Sequence, residues 1–102
     1  MLNQVILVGK IIKEIKKDSK VITIGITRNY RNPETLEHDV DNLDIRLSDS
    51  IHEQVFRMCG KGAVIGVKAH LEQVSTNING IEFKKALIIA EKVTFINAKG
   101  KE

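Results

Sequence analysis

Arg28-Asn29-Tyr30-Arg31 places the only tyrosine of the chain between two arginines. An aromatic ring offers a face on which a nucleobase can stack, and a guanidinium beside it can meet the phosphate. The same tyrosine would also suit a packing role over one end of the fold. Arg46, Lys68, Lys84 and Lys85 lie where strand alternation turns side chains outward, or beside a hairpin, so that a polyanion could be tracked. Singly, each suits a solvated surface charge as well; the group is the stronger signal. Lys10, Lys13, Lys16 and Lys17 form the densest basic stretch, which protection of a sheet edge explains about as well.

Other chemistries are poorly provided for. His38, His52, Cys59 and His70 are spaced by 14, 7 and 11 residues, which fits no zinc-ligand pattern, so no metal is expected. Cys59 falls on an apolar helical stripe and reads as a small core residue. No nucleophile is spaced with a base, no carboxylate pair suggests acid–base work, and no glycine-rich phosphate loop is present. A binding protein without a cofactor is expected, rather than an enzyme.

The 102 residues carry a net charge of +3, unevenly distributed. Residues 1–33 hold seven Lys/Arg against Glu14 and Asp18, a net +5. Residues 34–53 hold seven acids against Arg46 alone, a net −6, and residues 54–102 return to +4. A polyanion would meet basic ends and an acidic middle, although charge runs are often only solvated faces. A single cysteine allows no internal disulfide and fits a reducing compartment. No stretch approaches a membrane span, and the first residues do not resemble a signal peptide, so a cytoplasmic location is expected, with no membrane partner.

The elements that must position these residues are mostly strands. Asn3 to Ile12 is rich in β-branched residues, and within it Val5, Ile6, Leu7 and Val8 are apolar on both faces. Val21 to Thr27 alternates, with Ile22, Ile24 and Ile26 on one side. Asn29 to Asp39, with the only proline, reads as a long loop. Asn42 to Ser48 forms a third strand, turning Asn42, Asp44 and Arg46 outward. Ile51, Val55, Met58 and Cys59 then form the stripe of a short helix, with Ser50 and Glu53 as a capping box and Gly60 and Gly62 as the stop. A fourth strand spans Ala63 to Val74, burying Ile65, Val67, Ala69 and Leu71. Ser75 to Gly80 reads as a hairpin loop, and a fifth strand runs from Glu82 to Ala90, extended by Lys92 to Ile96. Phe83 is expected in the core. Residues 1–96 make one domain and 97–102 a tail. Three strands, a helix and two strands is the order of an all-β OB-fold, a five-stranded Greek-key barrel with a short helix between strands 3 and 4.

Three stretches resemble the bacterial single-stranded DNA-binding protein family. Asn3-Gln-Val-Ile-Leu-Val-Gly9 is similar to its opening strand, and Lys61-Gly62-Ala-Val-Ile-Gly-Val67 to its fourth. Gly80, Phe83 and the run Ala86 to Val93 resemble its final hairpin. The resemblance covers residues 2–96 and implies binding of single-stranded DNA in replication, recombination or repair. It also implies self-assembly as a homodimer or homotetramer, partly through the first strand. That would cover the outer face of Val5–Val8, which the helix or a loop of the same subunit could cover instead.

The family's stacking positions fall near Tyr30, Asn42, Ser48 and Thr76, of which only Tyr30 is aromatic. The implied contacts are therefore Tyr30 with Arg28, Arg31, Arg46, Lys68, Lys84 and Lys85, electrostatic in the main. Relatives that recruit replication proteins do so through an acidic C-terminal tip, which these residues lack. The short form is similar in size to primosomal replication protein n, a dimeric relative. A primosome-type interaction module with weak DNA binding is thus the alternative.

Overall fold

The computed structural model describes residues 1–98, folded as β1 (Val5–Ile11), β2 (Val21–Arg31), β3 (His38–Arg46), α1 (Asp49–Met58), β4 (Val64–Ile78) and β5 (Ile81–Asn97). The strands close into a barrel in the order β1-β2-β3-β5-β4, with the helix between β3 and β4, as the element order led us to expect. Every neighbouring pair is antiparallel except β3 and β5, whose parallel contact at Ile45–Ile88 and Arg46–Ile89 closes the ring. The interior is filled by β-branched side chains. Ile11, Ile24, Ile45, Ile65, Val55 and Val67 are essentially inaccessible, and each contributes roughly 1.5–3 kcal/mol by leaving water. Gly9 lies where β1 crosses β2: a Cβ there would sit 2.7 Å from the Gly25 carbonyl oxygen, so any larger residue would push the strands apart.

The strands run further than the sequence suggested, and that moves several residues. The expected loop from Asn29 to Asp39 shrinks to a tight turn over Pro33 to Leu36, closed by Asn32 N–H donating to the Glu37 carbonyl at 2.8 Å. Arg28, Tyr30 and Arg31 therefore sit on a strand, not a loop. The expected loop from Ser75 is strand as far as Ile78, and only Asn79 and Gly80 turn, both at positive φ. β1 pairs with β4 only as far as Ala69, and β3 meets β5 only at Ile88 and Ile89. Beyond those points the β4–β5 hairpin has no sheet neighbour and stands off the barrel as an arm. Leu71 and Phe83, both expected in the core, lie on that arm and are exposed, Phe83 by 51%.

Two helix details also differ. The cap is Ser48, whose Oγ accepts from Ile51 N–H, and not a Ser50–Glu53 box, because the chain leaves β3 at buried Leu47 and turns at once. The inward stripe is Ile51, His52, Val55 and Cys59; Met58 is exposed, and His52 takes the buried place because its ring finds a polar partner. At the other end, Asn97 still belongs to β5 and Ala98 packs against the core, so the expected tail from residue 97 starts inside structure. Residues 99–102 lie outside the described ones.

Candidate nucleic-acid interface

The outward face of the β2–β3 ladder is built of four rungs, Val21–Arg46, Thr23–Asp44, Gly25–Asn42 and Thr27–Val40, of which the first three surround the clefts described next. In barrels of this kind that face, with the β1–β2 and β4–β5 connections beside it, is where oligonucleotides or oligosaccharides bind. Two open clefts lie on it. One, of about 270 Å³, is lined by Asn42, Asp44, Arg46 and Lys85 together with Ala86 to Ile88. The other, of about 260 Å³, is lined by Lys13, Glu14, Lys16, Ser19 and Thr23. Val21 and Asp44 line both, so the two are halves of one trough. Four cations and two carboxylates border it.

The β1–β2 connection that brings Lys13 and Lys16 to the trough is held by the helix. His52 is buried, and its Nε2–H donates to the Lys16 carbonyl at 2.8 Å. Its ring stacks on Phe56 at 6.0 Å. Lys20 pairs with Asp49 in the first helical turn, and Leu47 N–H donates to the Lys20 carbonyl at 2.8 Å. Asp49 is held below the usual carboxylate range by the hydrogen bond from Lys20. Ile15 packs against the core between these ties. His52 thus anchors a loop.

Tyr30 and Arg28 are elsewhere. Arg28 follows outward Thr27, so strand alternation places it on the other side of the ribbon, and β2 then carries two extra residues opposite Asp39, between the Thr27–Val40 and Arg31–His38 pairs. There its guanidinium donates through Nε and Nη2 to both oxygens of Asp41, at 3.0 and 2.9 Å, with Asp39 at 3.7 Å. This bidentate pair raises the arginine's pKa and lowers that of Asp41. Arg28 also lies 6.0 Å from the centre of the Tyr30 ring, which is 60% exposed. Asp41 and Asp39 alternate with Asn42 and Asp44 along β3, so Tyr30 stands with the former, off the trough. Arg28 is occupied by a carboxylate and serves better to fix Tyr30 than to meet phosphate. Arg31 is exposed at the last rung, opposite His38.

The remaining expected contacts also separate. Lys68 is paired with Ile6 and Lys92, on the outer face of β1, β4 and β5. Lys84 opposes Ser75 on one face of the arm, 3.9 Å from Glu82, whereas Lys85 opposes Val74 on the other. Of the seven residues expected to touch nucleic acid, the structure brings only Arg46 and Lys85 into one cleft. Lys13, Lys16, Thr23 and Asn42, none of them among those seven, line the clefts as well. The basic stretch was visible, but its alternative as edge protection could not be set aside without knowing that the helix ties the loop over this face.

The four apolar residues of the first strand divide by parity. Val5 and Leu7 pack inward against the core, which corrects their assignment to an outer interface. Ile6 and Val8 point outward, 63% and 55% exposed, and Ile96 of β5 lies beside Gly66 on the same face.

No protein-family model matches the chain, and no curated protein matches its sequence. Among solved structures, the mitochondrial single-stranded DNA-binding protein Rim1 of S. cerevisiae superposes with a TM-score of 0.69 at 13% identity, over 94% of this chain and 96% of that one. A Plasmodium falciparum SSB, solved in complex with ssDNA, gives 0.70 at 18% identity over 95% and 97%. A small single-stranded DNA-binding protein from Streptomyces coelicolor gives 0.67 at 13% over 98% and 100%. The chain therefore shares, over nearly its whole described length, the OB-fold barrel of these proteins.

Proposed function

We propose that this chain binds single-stranded DNA in the trough on the β2–β3 face and acts as a homo-oligomer. The observation that carries the reading is the ring of Lys13, Lys16, Arg46 and Lys85 around an open trough. It lies on the face where this fold takes extended ligands. The structural neighbours named above add the analogy, and one of them was solved with such a strand. With aromatic platforms scarce, affinity rests on the phosphates, and Tyr30 at the far end of the ribbon adds a stacking point for a strand that runs past the trough. Self-assembly through Ile6 and Val8 would set several troughs on one particle and let a longer strand be covered, as replication, recombination or repair would require.

Titration of a labelled single-stranded oligonucleotide at two salt concentrations tests this. Affinity should fall with salt at a log–log slope of roughly 0.7 per contacted phosphate. A measurable but salt-independent affinity would overturn the electrostatic trough. A second reading, a protein-interaction module, is favoured by one observation. One face of the arm presents Val74, Ile78, Ile81 and Phe83 to solvent. Failure to bind at low salt would select it.

A further inference from the structure

Two carboxylates border the trough, Glu14 on one half only and Asp44 on both, and phosphate binding does not explain the second. Asp44 occupies one of the two central rungs of the β2–β3 face, between Lys13 and Lys16 on one side and Arg46 and Lys85 on the other. A carboxylate placed where phosphates pass would weaken the binding those cations provide. None of the four neutralises it by an ion pair among the described residues. It is instead oriented: Thr23 Oγ1–H donates to Asp44 Oδ1 at 2.7 Å, and Thr23 itself is buried, so its hydroxyl has a fixed position from which to donate. Oδ2 accepts no hydrogen bond within the described chain, on a residue that is exposed and lines the trough. Asn42 follows two residues away on the same face, with a side chain able both to donate and to accept.

An ionised carboxylate is an acceptor only, so its partner must bring N–H groups. We infer that Asp44 is a specificity residue: bases turn inward at the middle of the trough while phosphates follow its basic rims, and Asp44 Oδ2 accepts from the exocyclic amine of a cytosine or adenine. This inference rests on the proposal that the trough takes single-stranded DNA. Cytosine offers its N4 amine at the edge where thymine offers the O4 carbonyl. A carboxylate attracts the first and repels the second. The trough therefore favours amine-bearing bases and discriminates against thymine.

The test compares oligo-dC and oligo-dT of equal length at mildly alkaline pH, with the wild-type chain, Asp44→Asn, Thr23→Val and Thr23→Ser. Wild type should bind oligo-dC roughly 5- to 150-fold more tightly than oligo-dT, the factor that one good base-edge contact provides. Asp44→Asn carries an amide that can donate to O4, so the ratio should fall toward one by loosening oligo-dC and tightening oligo-dT. Thr23→Val should lower the ratio by freeing the carboxylate, and Thr23→Ser, which keeps the hydroxyl, should restore it. If Asp44→Asn tightens both oligonucleotides equally and leaves the ratio unchanged, Asp44 only repels phosphate and the inference is overturned. A wild-type ratio of one with clear binding also overturns it while leaving the single-strand reading intact. Absence of binding to either oligonucleotide would instead remove that reading, and this one with it.

Discussion

Two outer faces of the same barrel obey the same alternation and carry opposite chemistry. On β2–β3 the outward residues are Val21, Thr23, Gly25, Thr27, Val40, Asn42, Asp44 and Arg46, and the β1–β2 connection lies beside them at a charged trough. On β1–β4–β5 they include Ile6, Val8, Gly66, Lys68, Thr94 and Ile96, with Ile6, Val8 and Ile96 exposed to solvent. A trough keeps its polar groups wet until a ligand displaces the water. A flat apolar face has no such ligand and is stabilised by being covered. Under the proposed function the first face is the one suited to a charged chain and the second the one suited to another copy of this protein.

The most drastic way to break that division is to charge the apolar face. Ile6, Val8 and Ile96, buried together, would contribute on the order of 5 kcal/mol on each side of an interface. An Asp in place of Ile6 or Val8 would have to be buried without a partner, at a cost that cancels such a gain. The wild type should therefore exceed 11.4 kDa by light scattering at micromolar concentration, and Ile6→Asp should return it to that mass. Val5→Asp is the contrast, because it strikes the core and should lower the melting temperature first. A wild-type monomer, or an Ile6→Asp protein with unchanged mass, would show that this face is not the interface.

How far the sequence alone could carry the comparison follows from what periodicity records. Alternation identified the inward residues Ile22, Ile24, Ile45, Ile65 and Val67, because a side chain buried in a barrel must be apolar at every second position. It was silent on Val5–Val8, where both parities are apolar, and only the Ile6–Lys68 and Leu7–Val67 pairings decide which pair faces out. It also failed on the arm. Val74, Ile78, Ile81 and Phe83 alternate like core residues, but the two strands that would have enclosed them stop short. The trough was half legible. Asn42, Asp44 and Arg46 read as outward, but Lys13 and Lys16 join them through long-range ties such as the contact of His52 with the Lys16 backbone, between residues 36 positions apart.

Tyr30 sharpens the comparison from the other end of the ribbon. If a bound strand extends past the trough and stacks on it, Tyr30→Ala should weaken oligonucleotide binding by roughly 1–3 kcal/mol while leaving the salt slope unchanged. Arg28→Ala should give part of the same loss, since Asp41 and the ring would then lose their shared anchor. A Tyr30→Ala protein that folds, assembles and binds like the parent would confine binding to the trough.

Smaller still is the effect that separates two adjacent lysines. Lys85 lines the trough and Lys84 does not, being on the opposite face of the arm beside Glu82. Lys85→Ala should lower the log–log salt slope by up to about 0.7, the loss of one phosphate contact. Lys84→Ala should leave it within error. Equal changes for both would mean that the strand follows the arm, not the trough.

The smallest expected effect lies on the apolar face, where His70 sits among charges. Its Nδ1 is 2.7 Å from Glu91 Oε2 and its Nε2 is 2.7 Å from Glu72 Oε2. An ionised carboxylate only accepts and an imidazolium donates from both nitrogens, so the protonated ring is the form that satisfies both partners at once. The bond to Glu72, and then that to Glu91, raise its pKa above the ordinary 6.5. The folded state therefore holds this proton more tightly than the unfolded chain does. The resulting stabilisation is complete below the unfolded pKa and disappears as pH rises through the raised folded value. The cluster is open to solvent, and Lys68 and Lys92 on the same face compete for the glutamates, so salt should shrink the effect. Denaturation midpoints of the wild type and His70→Ala, compared from about pH 6 to about pH 9, should show a wild-type advantage at the acid end that vanishes at the alkaline end. The same series read by light scattering reports on the interface. If His70 borders the buried face, deprotonation leaves two glutamates facing each other there, and assembly should weaken over the same interval in the wild type. An advantage that grows with pH would contradict the double hydrogen bond.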